Sequence, residues 1–290
     1  MKFCFMYAHK TEFRIDRMAK VLQVSQSGYY KWLRKIKAPL TEKEREDLEL
    51  KEKIFELFNE SRGSYGSRKI TALINTDREY PVNHKRIERI MRENDLFSKT
   101  RKKYTCTTDS DHEYPIAPNK LDRDFSASSP NQKMVSDTTE IPTGGGKLYA
   151  AAILDLCGRM PVGLAIRVHN DRYLVMEALN DAVSRGCGRK GCLIHSDRGS
   201  TYCSDEYQEL LQTHGFVCSM SKKGDCWDNA PMESFWGKMK TEWLLPKYKT
   251  REEAIRDIYE YVWNFYSHKR PHESNHFLTP YQYYTNHATA

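Results

Sequence analysis

The sequence predicts an α/β protein in which an all-helical, basic N-terminal region precedes a mixed sheet flanked by helices. Residues 1–104 carry 25 Lys and Arg against 15 Asp and Glu, a net charge of +10, and their apolar residues recur at helical spacing. Residues 105–290 carry 21 basic and 24 acidic residues, a net charge of −3, and alternate from Lys133 between strand-like and helix-like segments. A length of 290 residues suits about two domains.

The composition excludes several classes of protein. Hydrophobic residues make up 39% of the chain and aromatic residues 12%, too many for a disordered protein. No apolar run approaches the ~18 residues of a membrane-spanning helix and the N-terminus does not resemble a signal peptide, so we expect a cytoplasmic protein without a membrane partner. The eight cysteines include no CxxC pair, and Cys187, Cys192 and His195 fit no structural zinc pattern.

Residues 1–60 are expected to form a helix-turn-helix followed by a long helix. The break at Val24–Gly28 separates a first helix from a second that begins near Tyr29. Thr41 and Glu44 have the spacing of a capping box, which predicts a charged helix ending at about Asn59. The apolar residues at helical spacing are Phe13, Met18, Val21 and Leu22 in the first helix, and Leu48, Ile54, Phe55 and Phe58 on the expected buried face of the long one.

Residues 61–104 predict a second helix-turn-helix, with helices over 66–74 and 83–94 and a turn around Pro81. In the second of these helices Ile87, Ile90 and Met91 are expected to point inward. Basic residues fall mostly on the opposite face, among them Lys85, Arg86 and Arg89. A solvated face is the alternative interpretation of such a run, but two helical units in a segment of net charge +10 favour DNA binding.

Residues 105–130 contain three prolines and many Ser, Thr and Asp without periodicity, which is typical of a linker. Residues 131–290 follow as the second domain. Its pattern predicts three antiparallel strands and then helix, strand, helix, strand and helix. The expected strands are 133–141, 148–156, 160–167, 192–195 and 216–220, and the expected helices are 173–185, 204–214 and a segment after Pro231.

Three acidic residues occupy the ends or the interior of these elements. Asp137 lies within the first strand, Asp197 follows the fourth, and Glu233 lies near the start of the helix after Pro231. Buried carboxylates repel one another unless cations lie between them, and hard oxygen ligands suit Mg²⁺ or Mn²⁺. Two such ions would activate a hydroxyl and stabilise the leaving oxygen of a phosphodiester. Each residue alone could equally be a cap or a surface-paired carboxylate.

The order and spacing of the three resemble those of a known family. Asp137 and Asp197 are separated by 59 residues, Asp197 and Glu233 by 35, and Lys240 follows Glu233 by seven. This pattern resembles the Asp-Asp-Glu transposases of bacterial insertion sequences, the second-frame products of the copy-out–paste-in group, whose catalytic core is similar to that of retroviral integrases. Further motifs similar to the family's are 195–199 with Tyr202, 221–242, 264–280, 62–86 and 25–30. Met134 stands where the family usually has a Trp.

The resemblance implies an RNase H-like core that cleaves one DNA strand and transfers the freed 3′-OH to a target phosphodiester, using two Mg²⁺ (or Mn²⁺) ions held by Asp137, Asp197 and Glu233. On a regular helix Lys240 would share a face with Glu233, and we expect it to contact a phosphate of the element's end. Asn229 is expected to orient the loop or touch DNA, and Arg198 to clamp a phosphate or pair with a carboxylate. The expected partners are double-stranded DNA, further copies of the chain on paired ends, and an upstream-frame protein.

Two other functions fit part of the pattern. An RNase H-like repair or junction nuclease would share the carboxylates but not the basic helical arms. A non-catalytic DNA-binding regulator descended from a transposase would share the arms, although the intact acidic trio argues against it. Joining of a precleaved 3′-OH end discriminates the first of these alternatives from a transposase, and metal-dependent nicking discriminates the second.

Overall fold

A computed structural model describes residues 1–76, 78–99, 114–222 and 226–288. The chain divides into two compact units, Met1–Glu52 and Lys53–Ala290. The boundary predicted from the sequence lies between residues 60 and 61, at the end of helix α4 (Glu42–Glu60). The boundary between the two compact units instead falls within α4, between Glu52 and Lys53. No helix in the described ranges is long and apolar enough to cross a membrane.

The first unit contains three short helices, α1 (Lys2–Ala8), α2 (Ile15–Val21) and α3 (Gln26–Lys37), and the start of α4. Ser25 caps α3, because its Oγ accepts a hydrogen bond from the Gly28 N–H at 3.0 Å. The small core consists of Met6, Met18, Ala19 and Tyr29. Helix α1 was not expected, and Phe13 and Val21 are exposed, because Phe13 precedes α2 and Val21 lies on its outer face.

Helix α4 begins with the expected capping box. The Thr41 N–H and hydroxyl both donate to Glu44 Oε2 at 2.9 Å, and the Glu44 N–H donates to Thr41 Oγ1 at 3.3 Å. The expected buried face was partly wrong. Leu48 is 49% exposed, and the buried apolar residues of the helix are Leu50, Ile54 and Leu57.

The second helical pair is confirmed. Helices α5 (Ser67–Asn75) and α6 (His84–Glu93) flank a turn in which Asn75 exchanges two hydrogen bonds with the backbone of Val82. Asn83 caps α6 through the Lys85 N–H. Ile87, Ile90 and Met91 point inward as predicted, with exposures of 5% or less.

The segment around α5 packs against C-terminal residues of the same unit. Arg62 forms a two-pronged ion pair with Asp257 at 3.0 Å and stacks on Trp243. Tyr65 stacks on Phe265 with ring centroids 5.8 Å apart. These contacts join the second helical pair to the sheet-containing core, so the pair is not an independent arm.

The sheet has five strands in the order β3-β2-β1-β4-β5. β1 pairs antiparallel with β2 and β2 with β3, whereas β1, β4 and β5 are parallel neighbours. This arrangement confirms the predicted mixed sheet. The strands are β1 (Lys133–Thr143), β2 (Gly146–Asp155), β3 (Met160–Arg167), β4 (Leu193–Ser196) and β5 (Val217–Met220).

Helices cover the sheet and continue into a C-terminal layer. A buried cluster that includes Met134, Ile153, Leu179 and Tyr207 joins the sheet to α7 and α9. The helices are α7 (Arg172–Ser184), α8 (Ser200–Cys203), α9 (Asp205–Thr213), α10 (Ala230–Lys238), α11 (Arg251–Tyr259) and α12 (Pro280–Ala288), with π-helical turns at Met239–Trp243 and Glu260–Lys269.

The predicted linker falls only partly within the described residues. Residues 105–113 lie outside them. In the described remainder Leu121 is buried, and the N–H groups of Lys120 and Leu121 donate to Ser219 Oγ at 2.9 and 3.1 Å. This part of the segment is therefore attached to β5.

Candidate active site

Two of the three acidic residues lie at neighbouring positions, Asp137 within β1 and Asp197 directly after the parallel strand β4. In the β1–β4 register Val135 pairs with His195, so two residues further along Asp137 stands beside Asp197. Asp197 follows the end of β4, where its Oδ1 accepts a hydrogen bond from the Gly199 N–H at 2.9 Å. Both side chains are half-buried. The sheet topology thus places the two carboxylates at one edge.

The third carboxylate comes from the first turn of α10. Pro231 starts this helix, and Glu233 is half-buried two residues later. Asn229, immediately before the helix, donates its side-chain Nδ2 to the carbonyl oxygen of Ser136 at 3.0 Å. Since Ser136 directly precedes Asp137, this bond ties the helix of Glu233 to the strand of Asp137.

The other two carboxylates act electrostatically on Asp137. Burial raises the pKa of Asp137 well above its usual range, the charges of Asp197 and Glu233 raise it further, and Lys240 opposes the shift. In the described ranges no three His, Cys, Asp or Glu side chains stand close enough to enclose a metal ion in this arrangement. The donor set nevertheless suits a hard divalent cation, because it consists of carboxylate oxygens whose mutual repulsion a cation would relieve.

Lys240 lies on the same side as Asp137. Burial lowers the pKa of Lys240, and the charges of Asp137 and Glu140 act in the opposite direction. The predicted common face of Lys240 and Glu233 stays a prediction, and the backbone differs from the one on which it was based. α10 ends at Lys238 and Lys240 belongs to the π-helical turn, so the regular α-helical rotation used to predict its direction does not apply.

Asp228 is a buried carboxylate to which sequence reasoning assigned no role. It accepts hydrogen bonds from the Lys222 N–H, Asn119 Nδ2 and Arg123 Nε, each at 2.9 Å. These bonds outweigh the opposing effect of burial and lower the pKa of Asp228. Its position directly before Asn229 was the only signal in the sequence, because its partners Asn119 and Arg123 are more than 100 residues away.

His195 has a structural role. Its Nδ1 lies 2.9 Å from Ser219 Oγ and its Nε2 lies 3.1 Å from Ser221 Oγ. Burial lowers the pKa of His195 to about 4, so the ring is neutral and both nitrogens bond to hydroxyl groups. The ring links β4 to β5 beneath Asp197.

The other expected DNA-binding residues occupy varied environments. Arg198 donates Nε to the carbonyl of Ser221. Lys85 is exposed on α6, where the half-buried Arg89 pairs with Glu93 at 2.9 Å and Arg86 is also half-buried. Asn229 is buried and donates to the carbonyl oxygen of Ser136, and both of its expected roles stay predictions. Contacts of these residues with DNA stay predictions.

Known domain families match most of the chain. One family described as an integrase core domain matches residues 127–226, and a second with the same description matches residues 214–280. A family described as an HTH-like domain matches residues 44–104. The matches to the core include all three carboxylates.

Curated relatives are similar over nearly the full length. The chain is 36% identical over 256 residues to the insertion element IS600 uncharacterized 31 kDa protein of Shigella sonnei, covering 88% of this chain and 93% of that one. It is 32% identical over 284 residues to the transposase InsF for insertion sequence IS3A of Escherichia coli (strain K12), covering 98% of both. Among solved structures, the HTLV-2 integrase catalytic core domain in complex with magnesium (dimeric form) covers 54% of this chain and 97% of its own, with 16% identity and a TM-score of 0.42.

Proposed function

The chain belongs to the InsF transposases of IS3-family insertion sequences, which join an HTH-like domain to an integrase core domain, and on this premise we propose how it acts on DNA. It cleaves one strand at the ends of its element and transfers the freed 3′-OH to a target phosphodiester. Asp137, Asp197 and Glu233 form the catalytic site. The raised pKa of Asp137, caused by burial and then by the other two carboxylates, is the observation that carries this assignment.

Asp137, Asp197 and Glu233 would hold two Mg²⁺ or Mn²⁺ ions. Bound there, the ions would supply activation of the attacking hydroxyl and stabilisation of the leaving oxygen. The protein contributes the position of each carboxylate: β1 and β4 fix the two aspartates, and the Asn229–Ser136 hydrogen bond fixes the helix that carries Glu233. No covalent enzyme intermediate is needed in such a transfer.

Lys240 positions the DNA strand in this scheme. Its ammonium group lies within electrostatic range of Asp137, close to where a scissile strand must pass, and an ammonium is a suitable partner for a phosphate. Burial disfavours the charged form of Lys240, and a bound phosphate would stabilise that charged form. Arg198 beside Asp197 is the second proposed phosphate contact.

We propose that end recognition lies in the helical pairs. α6 presents Lys85, Arg86 and Arg89 at an N-terminally capped helix within the part that matches an HTH-like domain. The proposed partners are double-stranded DNA of the element's ends and the target, further copies of the chain on paired ends, and an upstream-frame transposase protein. The basic charge of residues 1–104 supports the DNA partner.

Strand joining tests the proposal. Full-length protein is mixed with a duplex that carries the element's precleaved 3′-OH end, a target plasmid and Mg²⁺, and joined products are separated on a denaturing gel. The wild type joins the strands, Asp197→Asn does not, and the exposed-residue control Glu209→Gln retains activity. Unchanged joining by Asp197→Asn would refute the catalytic assignment.

The same assay separates the two alternative functions. A repair or junction nuclease would nick DNA in Mg²⁺ without joining the precleaved end. A non-catalytic regulator would bind the end but show neither nicking nor joining. Either result with the folded wild-type protein would refute the transposase proposal.

A further inference from the structure

A group of basic side chains lies around the face of α10 that points away from the carboxylate site. We call Lys69, Arg159, Lys238 and Arg270 the basic cluster. Lys238 follows Glu233 by five positions, about 140° around the helix, so the two side chains point in different directions. The cluster draws on α5, the β2–β3 turn, α10 and the segment after the second π-helical turn. Only folding brings these four residues together.

One carboxylate, Glu242, forms the back of the cluster. Arg270 donates to both of its oxygens at 2.6 Å, and Lys69 Nζ lies 3.5 Å from Oε1. The Arg270 side chain is only 3% exposed, so this pair is fully enclosed. Glu273 also acts on Lys69 electrostatically. Glu242 is thus committed to Arg270, which leaves Lys238 and Arg159 without a carboxylate in direct contact among the described residues.

Lys238 has an uncharged neighbour. Its Nζ lies 3.4 Å from His272 Nε2, and the other ring nitrogen of His272 lies 2.8 Å from Ser274 Oγ. Burial, followed by the charges of Arg270, Lys69 and Arg159, lowers the pKa of Lys238 to about 8, and Glu242 opposes the shift. The same cations and burial keep His272 neutral. The positive charges of the basic cluster therefore repel one another.

Arg159 has a buried guanidinium nitrogen, Nη1, that lacks a hydrogen-bond partner among the described residues. It stands in the β2–β3 turn with a positive φ of 58°. Buried donors are almost always satisfied, and an unpaired charged donor is especially costly. Lys69, Arg159, Lys238 and His272 each keep part of their surface accessible, so a ligand can reach them.

We propose that Lys69, Arg159 and Lys238 bind a backbone phosphate of DNA, with the Arg270–Glu242 pair as the fixed back of the site. A guanidinium and two ammonium groups match the charge and the acceptor oxygens of a phosphate. Lys69 belongs to α5, within the part that matches an HTH-like domain, which favours DNA over free phosphate as the source. This inference rests on the proposed function, because it assumes a DNA substrate.

The test compares Lys238→Gln and Arg159→Gln with wild-type full-length protein. Arg185→Gln is the matched control, since Arg185 pairs with Asp181 on α7. Binding of a labelled duplex is measured by fluorescence anisotropy over a series of KCl concentrations. Thermal unfolding without DNA is measured in chloride and in inorganic phosphate at equal ionic strength.

Each cluster variant is expected to reduce the log–log salt slope of binding by about one, whereas the control keeps the wild-type slope. The melting temperature of each free variant stays equal or rises, because like-charge repulsion is relieved, and the extra stabilisation by phosphate disappears. An unchanged slope would overturn the proposal. If inorganic phosphate stabilises the wild type but the variants keep the wild-type salt slope of DNA binding, the site binds free phosphate and the proposal that it binds DNA is wrong.

Failure of the proposed function would look different. Asp197→Asn keeps the wild-type salt slope while joining is lost, because it does not touch the basic cluster. Suppose that the wild-type protein never joins strands, but that Arg159→Gln has a salt slope lower than the wild type by about one. This result would refute the transposase mechanism and still support the phosphate site.

Discussion

Asn229 donates its side-chain amide to the carbonyl oxygen of Ser136 at 3.0 Å, and Ser136 is the residue before Asp137. Both partners are buried. Glu233 lies in the first turn of α10, four residues after Asn229, so one hydrogen bond connects the backbone next to one carboxylate with the helix that carries another. In the proposed function this bond helps to hold the two carboxylates in a fixed relation, as catalysis by positioned groups requires.

Asn229→Asp is expected to reduce strand joining roughly 10- to 100-fold while leaving DNA binding unchanged. The substitution keeps the shape of the side chain but removes the donor, and it costs about 1–3 kcal/mol of folding stability. Joining, anisotropy and urea unfolding are measured together, with the exposed Asn264→Asp as control. Full joining by a destabilised Asn229→Asp would limit the residue to a role in folding.

Lys240→Ala is expected to weaken binding to the element's end and to lower the salt slope by about one, because one phosphate contact is lost. Lys240 and Asp137 act on each other electrostatically, so joining should fall more than binding does. The exposed Lys247→Ala is the control, measured over the same salt series. Equal slopes for both variants would show that Lys240 does not contact DNA.

Asp155 makes stability depend on pH near neutrality. Burial raises the pKa of Asp155 to about 7, although the N–H groups of Asn131 and Cys157 donate to it and oppose the shift. A folded-state pKa above the unfolded value of 3.8 means that the protonated form favours folding. This contribution is complete below about pH 4 and is lost as the pH rises through about 7.

The free energy of unfolding should therefore fall between about pH 4 and about pH 7 and level off above that, by at most about 1.4 kcal/mol per pH unit for this group. Asp155→Asn should flatten that part of the curve, and the exposed Asp205→Asn should not. Urea unfolding at several pH values measures both. A variant with the wild-type slope would show that Asp155 is ionised in the folded protein throughout.

Truncation distinguishes the two helical units. A chain of residues 53–290 should fold with a cooperative transition, because it retains the Arg62–Asp257 pair and the Tyr65–Phe265 stack. A chain of residues 105–290 loses both and should be less stable by several kcal/mol or insoluble. Thermal unfolding compares them. Equal stability of the two chains would place the domain boundary in the predicted linker, residues 105–130.

Local signals were sufficient for much of the fold. The Thr41–Glu44 capping box, the inward row of Ile87, Ile90 and Met91, and the strand at 133–141 depend on neighbours within a few residues, and all were predicted. Leu48 was wrongly predicted to be buried, because periodicity alone does not specify which side of α4 the rest of the protein packs against.

The parts that sequence reasoning missed depend on distant residues or irregular backbone. The π-helical turn at Met239–Trp243, which contains no proline or glycine, replaces the regular α-helix on which the direction of Lys240 was predicted. Asp228 finds two of its partners more than 100 residues away, and the basic cluster combines four segments. The three carboxylates were found because their spacing resembles a family, whereas their mutual electrostatic effect required the sheet register.

Asp137, Asp197 and Glu233 are proposed to act as one site, which predicts that the effects of their substitutions are not additive. Rates of joining a precleaved 3′-OH end are measured for Asp137→Asn, Asp197→Asn, Glu233→Gln and the Asp137→Asn/Asp197→Asn double variant. If the residues share a site, each single variant loses at least about 1,000-fold and the double variant loses no more than either single one. Losses that multiply, or a single variant that joins at the wild-type rate, would contradict the claim.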